Sequence, residues 1–147
     1  VHKISAFSTM SRLCSAHSQT NIELYLCQEI PRCQMSLVIY HNPRCSKSRA
    51  TLALLQEKGH TPQVIEYLKE PLENSTILEL ARKLGVPVAD MIRKTETPYQ
   101  ALGLASADES TLTCAICENP ILLQRPIVAT DKRAVIGRPP ENVLSII

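Results

Sequence analysis

The side chains best suited to chemistry stand in one stretch, Tyr40-His41-Asn42-Pro43-Arg44-Cys45-Ser46-Lys47-Ser48-Arg49, where an apolar run ends and a helical pattern begins. A helix N-terminus presents unpaired N–H groups and the positive end of the macrodipole, so it favours an anion. Cys45 stands at that point with Arg44, Lys47 and Arg49 around it. Each of these influences favours thiolate over thiol, so the spacing predicts a pKa below the free value of ~8.5 and a nucleophilic sulfur. His41 has two readings: it polarises the loop and lowers the thiol's pKa, or it makes a structural hydrogen bond at the strand end. Ser48, one helical turn after Cys45, takes the place where dithiol oxidoreductases carry a second Cys, which points to monothiol chemistry.

Five further cysteines are Cys14, Cys27, Cys33, Cys114 and Cys117. Regular apolar periodicity through most of the chain, and the lack of a signal-like apolar region, argue against a secreted disulfide framework and for a reducing, cytoplasmic setting. Cys114-Ala115-Ile116-Cys117 has no second Cys or His pair at metal-binding spacing, so no metal site is expected. It reads as two core cysteines one turn apart, with a resolving-thiol role as the alternative.

The elements that must position Cys45 follow from periodicity. Leu37 to Tyr40 predicts a strand, Ser46 to Lys58 a helix stopped by Gly59, and Gln63 to Leu68 a second strand, a βαβ unit with parallel pairing. Asn74 or Ser75 caps a helix with Ile77, Leu80, Ala81 and Leu84 on one face and Gly85 at its end. Val88 to Arg93, Pro98 to Leu102 and Asp108 to Glu118 read as further helical pieces. Ile127 to Ala129 and Ala134 to Ile136 then form a hairpin, and Pro139-Pro140-Glu141 opens a terminal helix. The order β-α-β, helices, β-β-α predicts an α/β fold with a mixed sheet.

With 147 residues, the chain has room for one domain of ordinary size. Its 16 basic and 14 acidic residues leave +2, too slight a charge to argue for nucleic acid or a membrane surface. No apolar run approaches the roughly 18 residues that span a bilayer. Residues 1–34 are rich in Ser, Thr, Cys and Gln without a persistent period. They read as an extension, expected to be poorly ordered, whose low acidity also suits a transit peptide. The fold is expected to occupy residues 35–147.

The loop motif His41 to Arg49, Met-Ile-Arg-Lys-Thr-Glu at Met91 to Glu96, Asn-Pro-Ile-Leu-Leu-Gln-Arg-Pro-Ile-Val at Asn119 to Val128, and Gly-Arg-Pro-Pro-Glu at Gly137 to Glu141 resemble arsenate reductases of the glutaredoxin-coupled type. The resemblance covers Leu37 to the C-terminus. It implies a thioredoxin-like fold with a helical insertion, Cys45 as the catalytic thiolate, and Arg93, Arg125 and Arg138 as the trio holding the oxyanion, with His41, Ser48, Arg49 and Pro126 in support. Guanidinium forks suit a tetrahedral anion and neutralise charge that would repel a thiolate. Pro126 matches the cis proline that faces the active-site loop in such folds. The implied reaction takes glutathione as co-substrate and glutaredoxin as partner, with no bound cofactor or metal, in a monomer. Ser46-Lys47 stands where the best-attested resistance enzymes carry Gly-Thr, so the loop is nearer a housekeeping branch.

Three rival readings differ in chemistry. A tyrosine-phosphatase-like loop needs five residues between Cys and Arg, and Cys45 to Arg49 has three. A regulator of the Spx type, which binds RNA polymerase, usually has Cys-x-x-Cys here, and Ser48 removes that switch. A monothiol transferase acting on glutathione adducts without arsenate is separated from the reductase reading by the arginine trio.

Overall fold

The computed structural model describes residues 36–147; the extension 1–34 and Met35 lie outside the described residues. Four strands form one mixed sheet in the order β2-β1-β3-β4: β1 Val38–Tyr40, β2 Gln63–Ile65, β3 Ile127–Ala129 and β4 Ala134–Ile136. β1 pairs parallel with β2, Ile39 opposite Val64, and antiparallel with β3, Ile39 opposite Val128. β3 and β4 form the antiparallel hairpin expected, closed by Thr130 N donating to Arg133 O at 2.7 Å.

Alternation along these short strands divides the core in two. Ile39 and Val128 face one side, where Leu37, Leu55, Val143 and Ile146 complete a cluster beneath helix α1, Ser46–Glu57, and the terminal 3-10 helix Pro140–Ser145. Tyr40, Ile127 and Ala129 face the other. There α2, Asn74–Leu84, and α4, Glu109–Glu118, contribute Ile77, Leu80, Leu112 and Ile116. This is the thioredoxin-like α/β arrangement, with the helical insertion between β2 and β3 covering one face.

Most helix punctuation follows the sequence. Gly85 takes the left-handed conformation, φ 69°, and the N–H groups of Gly85 and Val86 reach back to Arg82 and Ala81, closing α2. Asp108 caps α4 through the Thr111 N–H. Neither Asn74 nor Ser75 caps α2; Glu73 holds the N-cap position without a side-chain bond.

Three segments differ from expectation. The second strand stops at Ile65 because Lys69 and Glu70 both donate to Glu66 O, a turn that drops Tyr67 fully into the core and leaves Leu68 outside. Val88–Met91 and Pro140–Ser145 are 3-10 turns, their short pieces being closed by i+3 bonds such as Asp90 N to Pro87 O. Between α2 and β3, an isolated antiparallel bridge joins Ile92 to Leu123. Arg93 N donates to Leu122 O and Gln124 N to Met91 O, each at 2.7 Å. Periodicity has no signal for a pairing of one residue on each side.

Candidate active site

Cys45 is the N-cap residue of α1, with extended backbone at φ −93° and ψ 120°. Asn42 builds the turn before it. Its carbonyl accepts from Cys45 N at 3.0 Å, and its Oδ1 accepts from Arg44 N at 2.9 Å, the side-chain turn chemistry to which Asn is suited. Ser48 is fully buried: its Oγ accepts the Asn42 N–H at 3.0 Å and lies 3.0 Å from His41 Nδ1. The Ser48 hydroxyl and His41 Nδ1 are thus joined in one buried hydrogen bond, its direction set by the imidazole tautomer. Burial lowers the His41 pKa; Glu66 opposes the shift and Arg49 adds to it. Of the two readings of His41, the hydrogen bond at the strand end is the one the geometry shows.

Burial pushes the Cys45 thiol up, but it is outweighed by the backbone N–H groups of Ser48 and Lys47 and by the hydrogen bond and charge of Arg125, so its pKa falls below the ordinary value. The direction agrees with the sequence and the cation is different. Arg44, Lys47 and Arg49 are exposed, and Arg49 Nη1 donates to Pro43 O at 2.8 Å, bracing the loop. A guanidinium 80 positions along the chain acts on the sulfur instead.

All three arginines named by the resemblance come to this end of the sheet. Arg138 Nη2 lies 3.9 Å from Cys45 Sγ, and its Nε donates to Arg125 O at 2.7 Å. Arg125 Nη2 is 3.6 Å from Glu96 Oε1, the same oxygen that pairs with Arg93 Nη1. The Ile92–Leu123 bridge is what joins the Arg93 segment to the Arg125 segment. The Arg125–Pro126 and Arg138–Pro139 bonds are both cis, the second without any indication in the sequence. Gly137 sits against Pro126 and α1: a Cβ there would lie 2.8 Å from Thr51 Oγ1 and 2.9 Å from Pro126 Cγ, so only Gly permits the approach that aims Arg138.

Sequence reasoning missed three residues here. Asn42 was readable as turn chemistry. Glu96 was readable as an i, i+3 partner of Arg93. Tyr67 had no signal, since an apolar alternating run reads as strand. Its hydroxyl is buried without a hydrogen-bond partner, as is Arg125 Nε. Burial raises the phenol's pKa, whereas Arg125 beside it and Arg93 act in the opposite direction.

The two other described thiols are not both core. Leu112, Ala115 and Ile116 occupy the buried stripe of α4, which leaves Cys114 exposed and Cys117 half-buried. Cys117 Sγ donates to Asn74 Oδ1 at 2.8 Å, and Asn74 Nδ2 lies 4.0 Å from Cys114 Sγ. Among the described residues no group of three or more His, Cys, Asp or Glu comes together as a metal site. Nor is any helix among them long and apolar enough to cross a membrane.

A thioredoxin-like sheet with a thiol of lowered pKa at a helix N-terminus, and arginines from three separate segments at the same end, sets the class of fold and site to which the chain is compared. The ArsC family model matches residues 40–146, and the chain belongs to that family. It is 48% identical over 112 residues to the uncharacterized protein YfgD of Escherichia coli (strain K12), covering 74% of this chain and 94% of that protein. To an arsenate reductase of Haemophilus influenzae it is 45% identical, covering 77% of this chain and the whole of the relative. The solved arsenate reductase from Vibrio cholerae superposes with a TM-score of 0.75 at 46% identity, covering 77% of this chain and 98% of that one.

Proposed function

We propose that the chain is an arsenate reductase in which Cys45 is the nucleophile and Arg93, Arg125 and Arg138 hold the oxyanion. The observation that carries this reading is the thiol of lowered pKa at the start of α1 with Arg138 Nη2 3.9 Å from its sulfur and Arg125 acting on it. Two buried donors without an acceptor, Tyr67 O–H and Arg125 Nε–H, support an anion as the missing partner. His41, Ser48, Arg49 and Pro126 support the loop and the arginine wall. The catalytic domain is residues 35–147, with residues 1–34 outside it.

The thiolate displaces one arsenate oxygen, which leaves as water after taking up protons, and forms an S–As(V) bond. Glutathione then attacks the adduct. The two thiol sulfurs become the Cys45–glutathione disulfide while arsenic gains two electrons and leaves as arsenite. Glutaredoxin takes the glutathione from Cys45, so a single protein thiol suffices because the other thiols are external. The enzyme works in this reading as a cytoplasmic monomer without a bound cofactor. The test is arsenate-dependent NADPH consumption coupled through glutathione reductase, glutathione and glutaredoxin. Consumption that requires arsenate is expected. Turnover only with glutathione adducts, and none with arsenate, favours the monothiol transferase instead.

A further inference from the structure

Glu96 lies at the meeting point of two of the three arginines. One oxygen, Oε1, accepts from Arg93 Nη1 and stands 3.6 Å from Arg125 Nη2. All three side chains are largely withdrawn from water, with 18%, 13% and 22% exposure for Arg93, Arg125 and Glu96. Two guanidiniums brought this close repel each other, and in a partly desolvated site that repulsion is little screened. A shared carboxylate oxygen converts the pair into one unit. Glu96 is itself fixed by its backbone, since Glu96 N donates to Arg93 O in the turn that follows the Ile92–Leu123 bridge. Arg125 acts on the Cys45 thiol and has its Nη2 3.6 Å from Glu96 Oε1.

We infer that Glu96 is a positioning residue for the oxyanion: its carboxylate ties Arg93 and Arg125 together and tempers the positive charge that Arg125 presents to Cys45. The inference rests on the oxyanion reading above for its effect on substrate; its effect on the thiol follows from the Arg125–Glu96 contact together with the action of Arg125 on Cys45. The two effects have opposite signs. Removing the carboxylate frees the guanidiniums to splay, which weakens oxyanion binding. It also leaves Arg125 with its full charge, which favours the thiolate further. A residue that only supported the fold would not produce that pairing of outcomes.

The experiment compares Glu96→Ala and Glu96→Gln with the unsubstituted chain. Glutamine retains an acceptor oxygen and the shape but not the charge, so it preserves folding where alanine fails. Cys45 alkylation by iodoacetamide is followed against pH, with and without arsenate as protecting anion, together with KM and kcat in the coupled assay. Glu96→Ala is expected to raise the arsenate concentration needed for protection, and the KM, about tenfold, with kcat nearly unchanged. Glu96→Gln restores most of that loss. In both variants the midpoint of alkylation shifts down by roughly half a pH unit. Unchanged protection and KM in folded variants overturn the inference, as does a midpoint that stays or rises. Failure of arsenate to protect Cys45 in the unsubstituted chain would instead strike the oxyanion reading, leaving the midpoint shift as the test of Glu96.

Discussion

Cys45 and Cys117 are the same side chain placed at opposite ends of helices. Cys45 precedes the first turn of α1, where Ser48 and Lys47 N–H groups point at it and Arg125 adds charge; against the opposing effect of burial, its pKa falls. Cys117 lies in the last turn of α4, where burial comes first and Cys114, Glu118 and Glu73 add negative potential; its pKa rises. Exposure does not separate them, since both are intermediate. What differs is the sign of the surrounding field, so a thiol count says little about reactivity until each sulfur is located on its helix.

The strongest test of this contrast is to remove each thiol in turn. Cys45→Ser should reduce glutathione- and glutaredoxin-dependent arsenate reduction to background, a loss of about a thousandfold or more. The Cys114→Ala, Cys117→Ala double variant should turn over normally, and a large loss there would favour the resolving-thiol role. Arg125→Ala removes a cation that acts on Cys45. If Arg125 holds the oxyanion as proposed, the variant should raise the KM for arsenate about 10- to 100-fold, and it should move the alkylation midpoint of Cys45 upward, toward that of Cys117. Arg93→Ala and Arg138→Ala should mainly raise KM.

Smaller effects sharpen the first of the two regions. Gly137→Ala forces a Cβ against Thr51 and Pro126, and should cost about 1–3 kcal/mol in denaturant unfolding, as overpacking does. Ser48→Ala strands the buried Asn42 N–H and His41 Nδ1, for about 1–3 kcal/mol. The His41 pKa is lowered in the folded chain, so between that value and the unfolded value of 6.5 the unfolded state binds more protons. Stability should therefore rise with pH through that window and fall as pH drops below about 6.5. Thermal unfolding against pH checks this, and His41→Asn should flatten the slope.

Legibility in the sequence followed the range of the interactions. The loop around Cys45 is made of contacts within seven residues, such as Asn42 to Ser48 and Cys45 to Asn42, and its residue types state their roles. The hairpin of β3 and β4, the Gly85 stop and the Asp108 cap are equally local. Glu66 to Glu70 misread as strand because Tyr67 and Leu68 suit a strand by type, while the backbone preferred a turn that buries one and exposes the other. The arginine wall was reachable only through family resemblance, since no short-range pattern brings Arg93, Arg125 and Arg138 together.

By itself, the sequence determined that a thiol would stand at the N-terminus of the first helix of a mixed α/β sheet, because helix entry, turn chemistry and strand alternation are encoded by neighbouring residues. The tertiary structure decided which charge acts on that thiol. Arg44, Lys47 and Arg49 are nearest along the chain, yet they point to solvent or back into their own loop. Arg125 and Arg138 arrive from the far side of the insertion, carried by the Ile92–Leu123 bridge and by the close passage of Gly137 over Pro126. Electrostatic effect follows distance in space, and only the folded chain sets that distance.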